Sequence, residues 1–91
     1  MRIEILGCGT STGVPIIGCT CPICSSDDPR NTRLRCSILI DVGATRILVD
    51  TGPDLRTQAL RANIETVDAV LFTHSHADHL HGIDECRTFN I

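Results

Sequence analysis

Apolar and polar positions along the chain divide it into short blocks. Residues 2–6 (Arg-Ile-Glu-Ile-Leu) alternate and predict a strand. Residues 7–35 carry Gly, Pro, Ser, Thr and Asn with little periodicity. A loop this long inside a compact domain is uncommon and is usually functional. Residues 37–42 (Ser-Ile-Leu-Ile-Asp-Val) predict a second strand, residues 43–45 a turn, and residues 46–50 an antiparallel return. Pro53 is placed for the first turn of a helix, with Thr51 or Gly52 as its cap and Asp54 near its positive end. Leu55, Ala59, Leu60 and Ile64 then mark the apolar face of a helix running to about Ala62. Residues 66–72 predict a fourth strand, residues 77–81 a helical turn, and residues 83–89 a second helix. Strands first, then helix-strand-helix, suit one layer of a sheet sandwich flanked by helices.

The segment Thr73-His74-Ser75-His76-Ala77-Asp78-His79 changes the picture. It places three imidazoles and a carboxylate within six residues, directly after the apolar run Ala69-Val70-Leu71-Phe72. Such side chains are rarely buried unless paired or bound to metal. Imidazole and carboxylate together suit zinc, manganese or iron. In an extended stretch His74 and His76 point to one side and can share an ion. Asp78 and His79 diverge from them and fit a second ion. Two ions about 3.5–4 Å apart form a hydrolytic clamp. His81 lies two residues beyond His79 and points about 200° away on a helix, outside the site.

A second cluster, Cys19-x-Cys21-x-x-Cys24 with Pro22 inside it, can wrap one zinc ion with three thiolates. Cys8, Cys36 and Cys86 are isolated along the chain and are expected as buried, inert thiols. Gly7, Gly9 and Gly13 point to close packing of a loop beneath the metal site. Arg33 and Arg35 are expected at the surface.

His74-x-His76-x-Asp78-His79, followed by Leu80-His81-Gly82, resembles the signature of the metallo-β-lactamase superfamily. Residues 3–11 (Ile-Glu-Ile-Leu-Gly-Cys-Gly-Thr-Ser) resemble its opening strand and Gly-rich loop. Leu48-Val49-Asp50-Thr51-Gly52 resembles its "DTG" strand end. The cysteine segment and His81-Gly82-Ile83-Asp84-Glu85-Cys86-Arg87 look like the branch containing the phosphoribosyl cyclic phosphate phosphodiesterase of phosphonate breakdown. The resemblance implies an α/β (α+β sandwich) fold: the N-terminal portion of an αββα domain over residues 1–91, with mostly antiparallel strands. It implies two divalent ions, zinc or manganese, on His74, His76, Asp78 and His79. A structural zinc on Cys19, Cys21 and Cys24 is implied as well. Asp50 becomes a carboxylate that orients the histidine loop from behind. Asp78 binds one ion and orients the hydroxide held between the two. The implied activity is hydrolysis of a small, cyclic phosphodiester. The alternatives are a tRNA 3′-processing endonuclease of the same superfamily and a non-catalytic metal-binding protein of cofactor biosynthesis.

Composition narrows the partners. The net charge is −3 with interspersed signs, so no basic stripe tracks a nucleic-acid backbone. No apolar run approaches the roughly 20 residues that span a bilayer. Met1-Arg2 leads straight into strand-like alternation without a secretory apolar stretch, which places the expectation in the cytoplasm. Apolar residues make up 42%, yet aromatics are two Phe only, so the core is expected to be aliphatic. Domains of the resembled family are more than twice this length and supply further ligands downstream. No His follows His81 here, so the chain is read as an N-terminal part. Its expected partners are the C-terminal part of the domain, a small phosphodiester substrate and a second copy in a homodimer.

Overall fold

The computed structural model describes residues 1–89. Its frame is a four-stranded sheet in the order β1-β2-β3-β4. The strands are β1 (Arg2–Gly7), β2 (Ser37–Val42), β3 (Thr45–Val49) and β4 (Ala69–Leu71). Helix α1 (Leu55–Ala62) connects β3 to β4, and the short α2 (Ala77–Leu80) follows β4. The β1–β2 and β2–β3 pairs are antiparallel, and β3–β4 is parallel. This is the mixed α/β, mostly antiparallel arrangement expected from the sequence. No helix among the described residues is long and apolar enough to cross a membrane.

Alternation along the strands sends two sets of aliphatic side chains to opposite faces. Leu6, Leu39 and Leu48 face α1 and are buried with Leu55, Ile64 and Phe89. The core is therefore nearly all aliphatic. The register places Ile3 beside Ile40, Ile5 beside Ile38, Ile40 beside Ile47, and Val49 beside Leu71 on the other face. Among the described residues no helix covers that second face, and Ile3, Ile5, Val42 and Leu71 are exposed there.

Several boundaries differ from the sequence reading. The second hairpin turns on Gly43-Ala44 alone, with Val42 paired to Thr45 and Gly43 at φ +59°. β3 stops at Val49 because Asp50 takes a left-handed φ of 67°. That bend also limits β4 to three residues, since only residues 69–71 have a partner strand. Helix α1 starts at Leu55, so Pro53 sits in the preceding turn and Asp54 occupies the cap position without capping. The Asp54 carboxylate instead accepts from the Arg35 backbone N–H at 2.9 Å and pairs with its guanidinium at 3.2 Å. Leu60, expected on the buried face of α1, is exposed, and Gln58 is buried in its place. Its Nε2 donates to the Arg35 carbonyl at 2.9 Å. The second helix is a 3-10 helix over Ile83–Thr88; Cys86 packs against the core from its middle, and Phe89 at its end is buried in it.

Candidate metal centre

Three segments build the site: the end of β3, the stretch after β4, and α2. They are stitched together by backbone bonds. Asp50 N–H donates to the Leu71 carbonyl, Thr51 N–H to the His79 carbonyl, and Gly82 N–H to the Thr51 carbonyl, at 2.8–2.9 Å. Gly52 and Gly82 allow this approach. A Cβ on Gly82 would strike the Gly52 carbonyl, and one on Gly52 would strike the Asp78 carbonyl.

His74 and His76 leave β4 in extended chain, with His76 at the cap position of α2 at φ −65°, ψ 150°. The helix then folds Asp78 and His79 back over them. Donor atoms of His74, His76 and Asp78 all lie within 4.8 Å of one another. Asp78 Oδ2 is also 3.0 Å from His79 Nε2, and the His74 and His79 ring centroids are 4.0 Å apart. The sequence reading placed Asp78 and His79 on a separate flank. The fold gathers all four side chains into one cluster with the Asp78 carboxylate inside it, because α2 begins immediately after His76. His81 is exposed and takes no part in this group.

Asp50 lies directly behind the cluster, only 3% exposed. Its Oδ1 accepts from the Thr73 N–H at 2.8 Å, and its Oδ2 from the Thr73 hydroxyl at 2.8 Å and from His79 Nδ1 at 2.7 Å. Burial alone would raise its pKa. The bonds from Thr73 and His79 outweigh burial and hold the carboxyl below its ordinary value. The carboxylate only accepts, so His79 carries its proton on Nδ1 and presents Nε2 to the site. The same logic reaches His74. The Thr73 hydroxyl spends its hydrogen on Asp50, so its oxygen accepts from His74 Nδ1 at 2.9 Å. His74 Nε2 is then free for a ligand. Thr73 was given no role in the sequence reading. Its place directly before the first histidine was the only available signal.

Replacing Asp50 by Asn keeps the shape, and Asn tolerates the left-handed φ better than most residues. It removes the charge that fixes the His79 tautomer. We expect zinc affinity at the histidine cluster to fall roughly 10–100-fold, with an unchanged far-UV circular dichroism spectrum. Isothermal titration with zinc measures it, and an unaltered affinity would show that Asp50 is a turn residue only.

Sulfurs of Cys19, Cys21 and Cys24 form a second group within 4.8 Å. Cys24 N–H donates to Cys21 Sγ, and Ile16 N–H to Cys24 Sγ, both at 3.4 Å. The Cys24 N–H, with the neighbouring thiols, lowers the Cys21 pKa to about 7. The Cys24 thiol is pushed up despite the Ile16 N–H, by its closeness to Cys19 and Cys21. The remaining cysteines depart from expectation. Cys8 and Cys36 are exposed and Cys86 is half-buried. Cys8 lies just past the end of β1, and Cys36 alternates with buried Ser37 and so points to the bare face. Burial and the Glu85 charge raise the Cys86 thiol.

Gly7 and Gly9 pack against the backbone of residues 33–35, as the reading of a close-packed loop expected. Arg35 is half-buried and holds Asp54 and the Ser11 carbonyl, whereas Arg33 is exposed, with a guanidinium nitrogen 3.2 Å from Cys8 Sγ. A cleft of about 280 Å³ opens beside His79, lined by Cys36, Ile38, Val49, Asp50 and Thr73 among others. A larger groove of about 420 Å³ lies between α1 and the 3-10 helix, lined by Leu60, Glu85 and Phe89, and holds no histidine.

Convergent imidazole nitrogens and a carboxylate are the donor set that divalent ions of the zinc class prefer, and the residues present fit such ions. The three sulfurs fit one zinc ion, since their mutual distances allow Zn–S bonds of about 2.3 Å.

Comparison with known proteins agrees with this chemistry. A segment of the octanoyltransferase of Porphyromonas gingivalis is 54% identical over 89 residues, 97% of this chain but 18% of that protein. The crystal structure of a diphosphatase from the PhnP family superposes with a TM-score of 0.93 at 49% identity, covering 96% of this chain and 34% of that one. Zinc-bound PqqB from Methylobacterium extorquens superposes with a TM-score of 0.80 at 28% identity, covering 96% and 34%. The chain thus spans about a third of the length of these solved structures and less than a fifth of the octanoyltransferase. The family model for the beta-lactamase superfamily domain matches residues 45–91, more than half of the chain. With that match, the four-stranded sheet and the histidine-aspartate cluster at its edge, the chain belongs to the metallo-β-lactamase superfamily.

Proposed function

We propose that these residues are the metal-binding part of a phosphodiesterase acting on a small, cyclic phosphodiester. The observation that carries the reading is the single cluster of His74, His76, Asp78 and His79, backed by Asp50. The likeness to a PhnP-family diphosphatase supports phosphate-ester chemistry. The net charge of −3 without a basic stripe favours a small substrate over a nucleic acid.

His74 and His76 would hold a first divalent ion and His79 a second, with Asp78 as a ligand of one of them. Ions bound there supply Lewis acidity, which brings the pKa of water toward neutrality and offsets charge on the phosphorane-like transition state. Asp78 Oδ2 faces His79, so Oδ1 would be the atom to accept a hydrogen bond from an attacking water and set its direction. Asp50 and Thr73 keep the rings in place and in the right tautomer. Cys19, Cys21 and Cys24, whose sulfurs lie together, would hold a structural zinc that pins the long loop.

The test is turnover of bis(p-nitrophenyl) phosphate with added manganese or zinc, by an enzyme of the relatives' full length carrying these residues. His76→Ala is expected to lower it on the order of 10³-fold, about 4 kcal/mol of transition-state stabilisation. Equal turnover by the variant would sink the assignment. Tight metal binding without turnover of any ester would make the protein a carrier instead.

A further inference from the structure

The loop between β1 and β2 holds no regular element except the single 3-10 turn Pro29–Asn31. Its outer part is held by short backbone turns, among them Cys19 N–H on the Ile16 carbonyl and Ser26 N–H on the Ile23 carbonyl, and by two bonds to sulfur, from the Ile16 N–H to Cys24 and from the Cys24 N–H to Cys21. A turn closed by the Ser25 N–H on the Cys21 carbonyl, at 2.9 Å, carries Cys21 and Cys24 to the same side. All three cysteines of the cluster are free thiols, and Cys21 is exposed to solvent. Cys8, Cys36 and Cys86 stand outside the cluster.

We propose that Cys21 and Cys24 form an oxidation site, at which a peroxide converts the pair to a disulfide and so releases the metal held by the cluster. The metal half rests on the structural-zinc reading above. The thiol half rests on geometry alone. The Cys21 sulfur attacks the O–O bond of hydrogen peroxide, giving a sulfenic acid and one water. The Cys24 sulfur then displaces hydroxide from it, forming the S–S bond and a second water. Two electrons leave the two sulfurs and reduce the peroxide, and the zinc ion departs unreduced. Two residues separate Cys21 from Cys24, whereas Cys19-Thr20-Cys21 would close a smaller and more strained ring. Exposure of Cys21, with Cys24 only half-buried, makes the disulfide one of the labile, reducible kind. Its formation removes two of the three thiolate ligands and changes the sulfur acceptors that hold the outer loop.

The experiment treats the zinc-loaded chain and the zinc-free chain with one equivalent of hydrogen peroxide. Thiol titration, a metal-indicator dye and peptide mapping by mass spectrometry are the readouts. Two thiols per chain are expected to disappear, with a Cys21–Cys24 link in both samples. Zinc is expected to leave the loaded chain and to return with thiol reductant. Cys24→Ser is expected to abolish the link. A link joining Cys8, Cys36 or Cys86, or persistence of both thiols, would overturn the proposal. So would conversion of Cys21 to a sulfinate without a disulfide. Failure of the cysteine loop to take up zinc, with the link still forming, would sink the structural-zinc reading and leave the oxidation site standing.

Discussion

The 91-residue chain alone is expected to cleave bis(p-nitrophenyl) phosphate no faster than the free metal does. Each ion of a dinuclear site takes four or more ligands. The described residues bring four donor side chains to the cluster for both ions together. Among the described residues the sheet is also covered on one side only. Ile3, Ile5, Val42 and Leu71 lie open on the other face, an apolar surface that favours association and disfavours a rigid site. Grafting these residues onto the C-terminal two-thirds of the PhnP-family diphosphatase supplies the test, since the shared third is 49% identical. The graft is expected to gain metal affinity and turnover together. Robust turnover by the 91 residues alone, abolished by His76→Ala, would show the four side chains to be sufficient.

Gly82→Ala is expected to cost about 3 kcal/mol or more and to abolish metal binding at the histidine cluster. The backbone of Gly82 is unstrained for any residue, at φ −89°, so its need for glycine is steric. The added methyl would strike the Gly52 carbonyl, which is backbone and cannot swing aside. Relief requires α2 to lift from the end of β3, breaking the bonds of Thr51 to His79 and of Gly82 to Thr51. That motion carries Asp78 and His79 away from His74 and His76. Gly18→Ala is the control, because Gly18 has φ +79° and open space around it. It is expected to cost only about 1 kcal/mol of backbone strain. Urea unfolding and zinc titration of the two variants in the grafted enzyme separate the cases. Equal effects would mean that the Gly52–Gly82 contact is not what seats α2.

Local pattern determined much of this protein. Alternation in residues 2–6 and 37–49 marks three strands and their antiparallel order, because period-two burial needs only near neighbours. The spacing of His74, His76, Asp78 and His79 announces metal chemistry, because few other environments tolerate that density of polar groups. The Cys19, Cys21 and Cys24 triad is legible for the same reason. Tertiary structure decided what depends on residues distant in sequence. Asp50 ends β3 in a left-handed bend and reaches His79 and Thr73, contacts spanning more than twenty residues. Asp54, expected near the positive end of α1, is taken by Arg35 through two charges that meet only in the fold. Gln58 replaces Leu60 inside because a backbone carbonyl of the long loop waits there for its amide. Asp78 joins the first histidine pair because Gly52 and Gly82 let two backbones touch, and no periodicity encodes such a contact.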